Sequence, residues 1–149
     1  MKVAHTAKVK APAERLWVAA MDLPNAARCM PGVAAVTAVS ADRYKGSLLV
    51  QVGPVRLVLD GDIAVVSRDD AARRARLTVD AKDTRLGGNV RASADVALRA
   101  VGTGSEMSID ADLELAGPIA TFGAPVIRRK AAQLLAQFAE CLARTASQR

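Results

Sequence analysis

The sequence is poor in aromatic residues, and this shortage argues against one class of function. Its 149 residues include two phenylalanines, one tryptophan and one tyrosine. Proteins that bind single-stranded nucleic acid stack the bases on aromatic rings, whereas Trp17, Tyr44, Phe122 and Phe138 are scattered along this chain. The formal charge of +6 would suit an anionic partner, but no nucleic-acid-binding signature accompanies it. We therefore expect no nucleic-acid partner.

Cysteine and histidine are also scarce, which limits metal and nucleophile chemistry. Cys29 and Cys141 lie far apart in sequence and form no CxxC motif, so we expect both to be reduced thiols. His5 is the one histidine. It lacks neighbouring metal ligands and a nucleophile motif, and we expect a satisfied histidine in the core or at its rim. The sequence therefore predicts no catalytic residue and no metal site.

Long apolar runs are missing as well. No segment approaches the roughly 20 apolar residues that a membrane-spanning helix needs, and the N-terminus leads directly into a strand-like pattern over Lys2–Lys10. We expect no signal peptide and a cytoplasmic protein. The length is typical of a single domain, which we place at residues 1–149.

The C-terminal half shows the clearest pattern in the chain. From Asn89 to Leu115, apolar and polar residues alternate on both sides of a turn at Gly102–Gly104, which predicts an antiparallel hairpin with one solvated face. After Gly117 the apolar spacing becomes helical, and this stripe comprises Ile119, Phe122, Val126, Leu134, Phe138 and Leu142.

The rest of the chain completes an α+β pattern. A helix is predicted over Ala13–Met21, with Pro12 before it, and a second short turn over Asn25–Met30. Besides Lys2–Lys10, the predicted strands are 33–40, 43–52, 55–68, 73–82, 89–101 and 105–115. This order predicts a seven-stranded, curved antiparallel sheet around one long C-terminal helix, with two short helices after the first strand.

Alanines on the inward side of the strands leave two interpretations open. Ala75, Ala81, Ala92, Ala94, Ala100 and Ala111 share a side with larger apolar residues. They could let the long helix approach the sheet closely, or they could leave room for a small molecule. We favour a cavity, since a strongly curved sheet cannot touch one helix along its whole length.

Charged residues dominate the outward side. In the simplest register Arg91 faces Glu114 and Arg99 faces Glu106, which are favourable cross-strand pairs, whereas Asp95 faces Asp110 unfavourably. On the C-terminal helix, Arg128, Arg129 and Lys130 form a basic cluster. It is interpreted either as a solvated face or as a contact for an anionic membrane or partner.

Three ordered motifs resemble the CoxG family of carbon monoxide dehydrogenase subunits. The first joins Trp17, Asp22 and the segment Arg28–Gly32, and the second joins Val50–Val55 with Leu59–Gly61. The third is C-terminal and comprises Ala111–Leu113, Gly117, Ile119, Phe122-Gly123 and Gln137-Phe138. The resemblance covers nearly the whole chain.

This resemblance implies a fold and a function. The family belongs to the START-like, helix-grip superfamily, which includes polyketide cyclases and lipid-transfer domains. It implies a non-catalytic accessory or carrier protein for a molybdenum hydroxylase of the carbon monoxide dehydrogenase type, with a quinone- or lipid-like ligand such as a fatty acid and no required cofactor. The alternative is a polyketide cyclase-like enzyme that uses the same cavity.

The chain lacks the C-terminal tail that attaches some members to the membrane, so we expect only weak, reversible contact with an anionic membrane surface. The residues predicted to face the ligand are apolar and lie on the inward strand sides, the first helix and the C-terminal stripe: Trp17, Leu48, Val50, Leu57, Leu59, Ala94, Leu98, Ile109, Phe122, Val126 and Leu134.

Overall fold

Residues 1–148, which the computed structural model describes, form seven β-strands and three α-helices. The strands are β1 (Lys2–Val9), β2 (Val33–Ser40), β3 (Arg43–Val52), β4 (Val55–Asp69), β5 (Arg74–Asp83), β6 (Asn89–Val101) and β7 (Gly104–Ala116). The helices are α1 (Ala13–Met21), α2 (Leu23–Ala26) and α3 (Ala124–Ser147), with short 3₁₀ turns at Ala27–Cys29 and Pro118–Phe122. The predicted α+β class and element order are confirmed.

Two helix boundaries differ from the prediction. Helix α2 begins at Leu23, although Asp22–Pro24 was expected to be a break. Pro24 lies in the first turn, where its missing N–H group is not needed for an intrahelical hydrogen bond. Helix α3 begins only at Ala124, because Gly123 has a φ of 86° and separates it from the preceding 3₁₀ turn.

All seven strands lie in one antiparallel, curved sheet with the order β1-β7-β6-β5-β4-β3-β2. A pair of glycines crosses the middle of two long strands, with Gly46 directly opposite Gly61. A Cβ added at Gly61 would lie 2.8 Å from the Cβ of Ala81, and one at Gly46 would lie 2.9 Å from Cγ2 of Val36. The close packing of neighbouring strands at this point therefore requires glycine.

The predicted register of the β6–β7 hairpin is confirmed. Arg91 lies opposite Glu114, Arg99 opposite Glu106 and Asp95 opposite Asp110. Arg99 Nε lies 3.0 Å from Glu106 Oε1, an ion pair that lowers the pKa of Glu106 through the hydrogen bond from Arg99. The unfavourable aspartate pair is compensated from β5, since Arg76 Nη1 lies 3.8 Å from Asp95 Oδ1.

The buried core consists of two separate clusters. The first cluster joins α1, the C-terminal half of α3 and one end of the sheet, and its largest members include Leu16, Trp17, Leu98, Met107 and Leu142. The second cluster lies around Val50, Val52, Leu57 and Ile119. Helix α3 packs most closely against β1 and α1, so the middle of the sheet lies between the two clusters.

A disulfide joins Cys29, in the 3₁₀ turn after α2, to Cys141 in α3. The two Cα atoms are 5.3 Å apart, although the residues are separated by 112 positions in sequence. The expectation of two reduced thiols is therefore wrong. Their distance in sequence concealed the pairing, because only the packing of the 3₁₀ turn against α3 brings them together.

Candidate functional site

The inner face of the sheet carries an apolar strip that belongs to neither core cluster. We call it the middle strip, and it consists of Ile63 and Val65 on β4, Val79 on β5, Ala92 and Ala94 on β6, and Ala111 and Leu113 on β7. All seven side chains are partly exposed. An apolar face that remains partly exposed inside a curved sheet is the kind of surface on which an apolar small molecule binds.

The registers show how the middle strip is assembled. Ile63, Val79, Ala92 and Leu113 lie side by side in one row across four strands, and Val65 begins the next row. In that second row Ala94 lies directly opposite Ala111. These two alanines leave the most space above the sheet, since each carries only a methyl group there. The structure thus favours room above Ala94 over close contact with α3.

Six of the predicted ligand-facing residues lie together beside one end of this strip. Val50 and Leu57 belong to the second cluster, and the partly buried residues packed against it include Leu48, Leu59, Phe122 and Leu134. Leu48 lies directly opposite Leu59, and Val50 opposite Leu57. Four strand residues are therefore joined by one residue of the 3₁₀ turn and one residue of α3.

Three other predicted residues lie at the opposite end, in the first cluster. Leu98 and Ile109 are buried on β6 and β7, and Trp17 is buried on α1. Trp17 Nε1 donates a 2.8 Å hydrogen bond to Asp70 Oδ1, which also accepts one from Arg68 Nε at 2.8 Å. The hydrogen bonds from Arg68 and Trp17 lower the pKa of Asp70. Trp17 thus links α1 to the β4–β5 turn.

Val126 is the predicted residue that the structure places outside both clusters. Its side chain is 41% exposed, whereas the neighbouring Ile127 is 8% exposed. The prediction continued one helical stripe from Phe122, but Gly123 interrupts the helix and resets its phase. At about 100° per residue, Ile127 lies nearly in line with Leu134. Placing Val126 in the buried stripe was wrong, and the spacing from Leu134 back to Ile127 was the signal for the correct residue.

The prediction also omitted most of the middle strip. Ala94 was included as a ligand-facing residue, but Ile63, Val65 and Val79 were not. These residues alternate with polar neighbours along β4 and β5, so the period-two pattern could have identified them.

Few polar side chains lie on the inner face, and most of them bond to the protein. Ser105 Oγ donates to the carbonyl of Ala11 at 2.8 Å, and Tyr44 Oη donates to the carbonyl of Ala41 at 3.2 Å. Asp83 is 4% exposed and accepts hydrogen bonds from the backbone N–H groups of Val58, Arg85 and Leu86.

These hydrogen bonds explain the acidity of Asp83. Burial by itself raises the pKa of Asp83, but the N–H donors of Leu86, Arg85 and Val58 together outweigh it and lower the pKa. The carboxylate thus remains charged inside an apolar face because backbone donors surround it.

His5 lies on the same inner face of β1, directly opposite Ile109, and is partly buried. Within residues 1–148 its imidazole has no hydrogen-bond partner. The expectation of a histidine satisfied by the protein is therefore wrong. The part of the chain that the structure describes also contains no group of three or more acidic, cysteine or histidine residues arranged to bind a metal ion.

Two open grooves lie on the outer face of the sheet. One has a volume of about 390 Å³ and is lined by residues of β2, β3 and β4, including Lys45, Ser47 and Asp60. The other has a volume of about 350 Å³ and is lined by Asn89, Arg91, Glu114, Leu115 and Ala116. Neither groove lies between the sheet and α3.

The basic cluster lies near the start of α3. Arg128 and Arg129 are exposed and Lys130 is partly exposed. None of the three forms an ion pair with another described residue. No helix within residues 1–148 combines the length and hydropathy needed to cross a bilayer.

Comparison with solved structures identifies the fold. A conserved protein from Geobacillus kaustophilus superposes with a TM-score of 0.90 at 19% identity, covering 99% of this chain and 96% of that one. The ZhuI aromatase/cyclase from Streptomyces sp. R1128 superposes with a TM-score of 0.68 at 16% identity, covering 100% and 94%. A START superfamily protein from Mycobacterium smegmatis gives 0.65 at 13% identity, covering 99% and 97%.

These likenesses show the START-like helix-grip fold. No curated protein sequence matches the chain. The profile of one family of carbon monoxide dehydrogenase subunits, CoxG, matches residues 6–147. Because this match covers almost the entire sequence, the chain belongs to the CoxG family of carbon monoxide dehydrogenase subunits.

Proposed function

We propose that this protein carries a hydrophobic, quinone- or lipid-like molecule on the inner face of its sheet without transforming it. The observation that carries the proposal is the middle strip, an apolar and partly exposed face between two packed clusters. Burial of a ligand chain there contributes about 0.8 kcal/mol per CH₂ group. The predicted residues of the second cluster, such as Leu48 and Leu59, form one end of this binding region, and the chain itself requires no cofactor.

Family membership supports the proposed context. The protein would serve as an accessory to a molybdenum hydroxylase of the carbon monoxide dehydrogenase type, in the cytoplasm or at the inner face of the membrane. A carrier of this kind has to release its ligand as well as bind it. An open apolar strip beside a helix meets that requirement better than a fully enclosed chamber does.

Filling the space above the strip should abolish ligand binding. We expect Ala94→Phe to eliminate binding of palmitic acid and of a short-chain ubiquinone in calorimetric titrations, because the ring occupies the space above the Ala94–Ala111 pair. The accompanying cost in stability is about 1–3 kcal/mol. The matched control is Ala97→Phe on the opposite face of the same strand, which should bind both molecules normally. Unchanged affinity in a folded Ala94→Phe protein would contradict the proposed site.

The second candidate function is a polyketide cyclase-like enzyme that acts on an apolar substrate. The unpartnered His5 on the inner face favours it, since such an enzyme needs a titratable group beside its substrate. An aromatase/cyclase from Streptomyces shares the fold. If the protein converts a polyketide substrate and His5→Ala eliminates this turnover, the cyclase function replaces the carrier function.

The basic cluster supplies the proposed membrane contact. Each basic residue near an anionic bilayer contributes about 1 kcal/mol, so Arg128, Arg129 and Lys130 together should give weak binding. We expect partial sedimentation with anionic liposomes at low salt, decreasing towards physiological ionic strength, where the Debye length is about 8 Å. Changing all three to Gln should eliminate sedimentation while leaving the circular dichroism spectrum unchanged. Equal sedimentation with neutral and anionic liposomes would show that the cluster is simply a solvated face.

A further inference from the structure

We propose that His5 binds an oxygen atom at the polar end of the carried ligand, so that the ligand class is an apolar chain with one hydrogen-bonding oxygen head. This inference deepens the proposed carrier function and rests on it. Of the polar side chains on the inner face, Ser105, Tyr44 and Asp83 each bond to backbone groups of the protein. His5 alone among these four has no such partner within the described residues.

An imidazole that loses water without gaining a partner destabilises the state in which it is buried. Neutral histidine has one N–H donor and one nitrogen acceptor, and buried polar groups are nearly always hydrogen-bonded. His5 is partly buried between Val3 and Ala7 on the inner face of β1. An apolar ligand lying on the middle strip would remove more water from the imidazole. A ligand oxygen would restore the lost hydrogen bond.

The space needed for such an oxygen lies beside His5. Directly opposite His5 on β7 is the buried Ile109, and Ala111 occupies the diagonal position across the same strand pair. Ala111 in turn lies opposite Ala94. The two small residues place the least occupied part of the inner face within one diagonal step of the imidazole. The chain of the ligand would extend from there across β5 and β4, over Val79 and Ile63.

The inference is tested with three probes of equal chain length: dodecanoic acid, 1-dodecanol and dodecane. We expect His5→Phe to weaken binding of the acid and the alcohol by about 3- to 10-fold, the effect of losing one hydrogen bond. Binding of dodecane should change less than about 2-fold, because phenylalanine keeps the apolar bulk. The conservative variant His5→Gln should restore affinity for the two oxygen-bearing probes.

Nuclear magnetic resonance supplies a direct second readout. The chain has one histidine, so every imidazole signal of a ¹⁵N-histidine-labelled sample comes from His5. Dodecanoic acid and dodecanol should shift these signals more than dodecane does. A response to the acid alone would still support the inference and would assign a carboxylate head, whereas a response to both assigns any oxygen head.

Two outcomes would overturn the inference, and they separate it from the carrier function. If all three probes bind and His5→Phe changes none of them, or changes all three equally, His5 does not recognise the head and the carrier function survives. If the unaltered protein binds none of the probes, both proposals fail.

Discussion

Replacing Cys141 with alanine should lower the free energy of unfolding by about 2–5 kcal/mol. The disulfide closes a loop between positions 112 residues apart, and a loop of this length strongly restricts the unfolded chain. Denaturant unfolding of the oxidised protein and the variant measures the difference. Reducing the unaltered protein should produce a similar loss.

The double variant Cys29→Ala/Cys141→Ala is the control. It should be about as stable as the single variant, because loss of either sulfur already breaks the bond. Alkylation of thiols in intact cells, followed by non-reducing electrophoresis, measures whether the bond is also present where the protein works. Two freely titrating thiols in the purified protein, with equal stability of all variants, would contradict the expected effect.

Replacing Asp83 with alanine should lower the free energy of unfolding by about 2–4 kcal/mol, because it leaves three backbone N–H groups without their acceptor. Those groups belong to Val58 on β4 and to Arg85 and Leu86 in the β5–β6 connection. The carboxylate thus holds this connection against β4, next to the second cluster. Thermal and denaturant unfolding measure the loss.

Asp83→Asn is the matched control. The amide oxygen can still accept from Val58 and Arg85, which share Oδ1, but the side chain loses the bond that Oδ2 accepts from Leu86. We therefore expect a smaller loss than for alanine. An alanine variant as stable as the unaltered protein would show that water replaces the carboxylate at little cost.

The pH dependence of stability provides a second readout for Asp83. Its pKa in the folded protein is lower than the ordinary value of 3.8, so the folded state favours the charged carboxylate. This contribution is fully present above the unfolded pKa and is lost as the pH falls through the lower folded pKa. The difference in stability between the unaltered protein and Asp83→Ala should therefore shrink in acid.

Much of the sheet could be predicted because alternation is a local property. On β6 and β7, successive side chains point to opposite faces, so the order of residues alone assigns Ala94 and Ile109 inward and Arg91 and Glu114 outward. The turn at Gly102 then determines which residues face each other. The same reasoning identified the residues that form the second cluster, although it could not show that they form a cluster separate from Trp17.

Helix phase was less predictable, since one residue can reset it. The apolar spacing between Phe122 and Val126 suggested a continuous stripe, but the positive φ of Gly123 starts a new helix and buries Ile127. Tolerance of a positive φ is a property of glycine that the sequence displays. Whether the chain uses that tolerance depends on what the preceding 3₁₀ turn packs against.

By itself, the sequence determined the strand order along the chain, the two faces of the sheet and the family, because each depends on short-range patterns or ordered motifs. Only the tertiary structure decided which distant groups meet. It joined Cys29 to Cys141, provided Asp83 with three backbone donors, and left the imidazole of His5 without a partner among the described residues. Such contacts depend on how α3 and the connections pack onto the sheet, and no local periodicity encodes that packing.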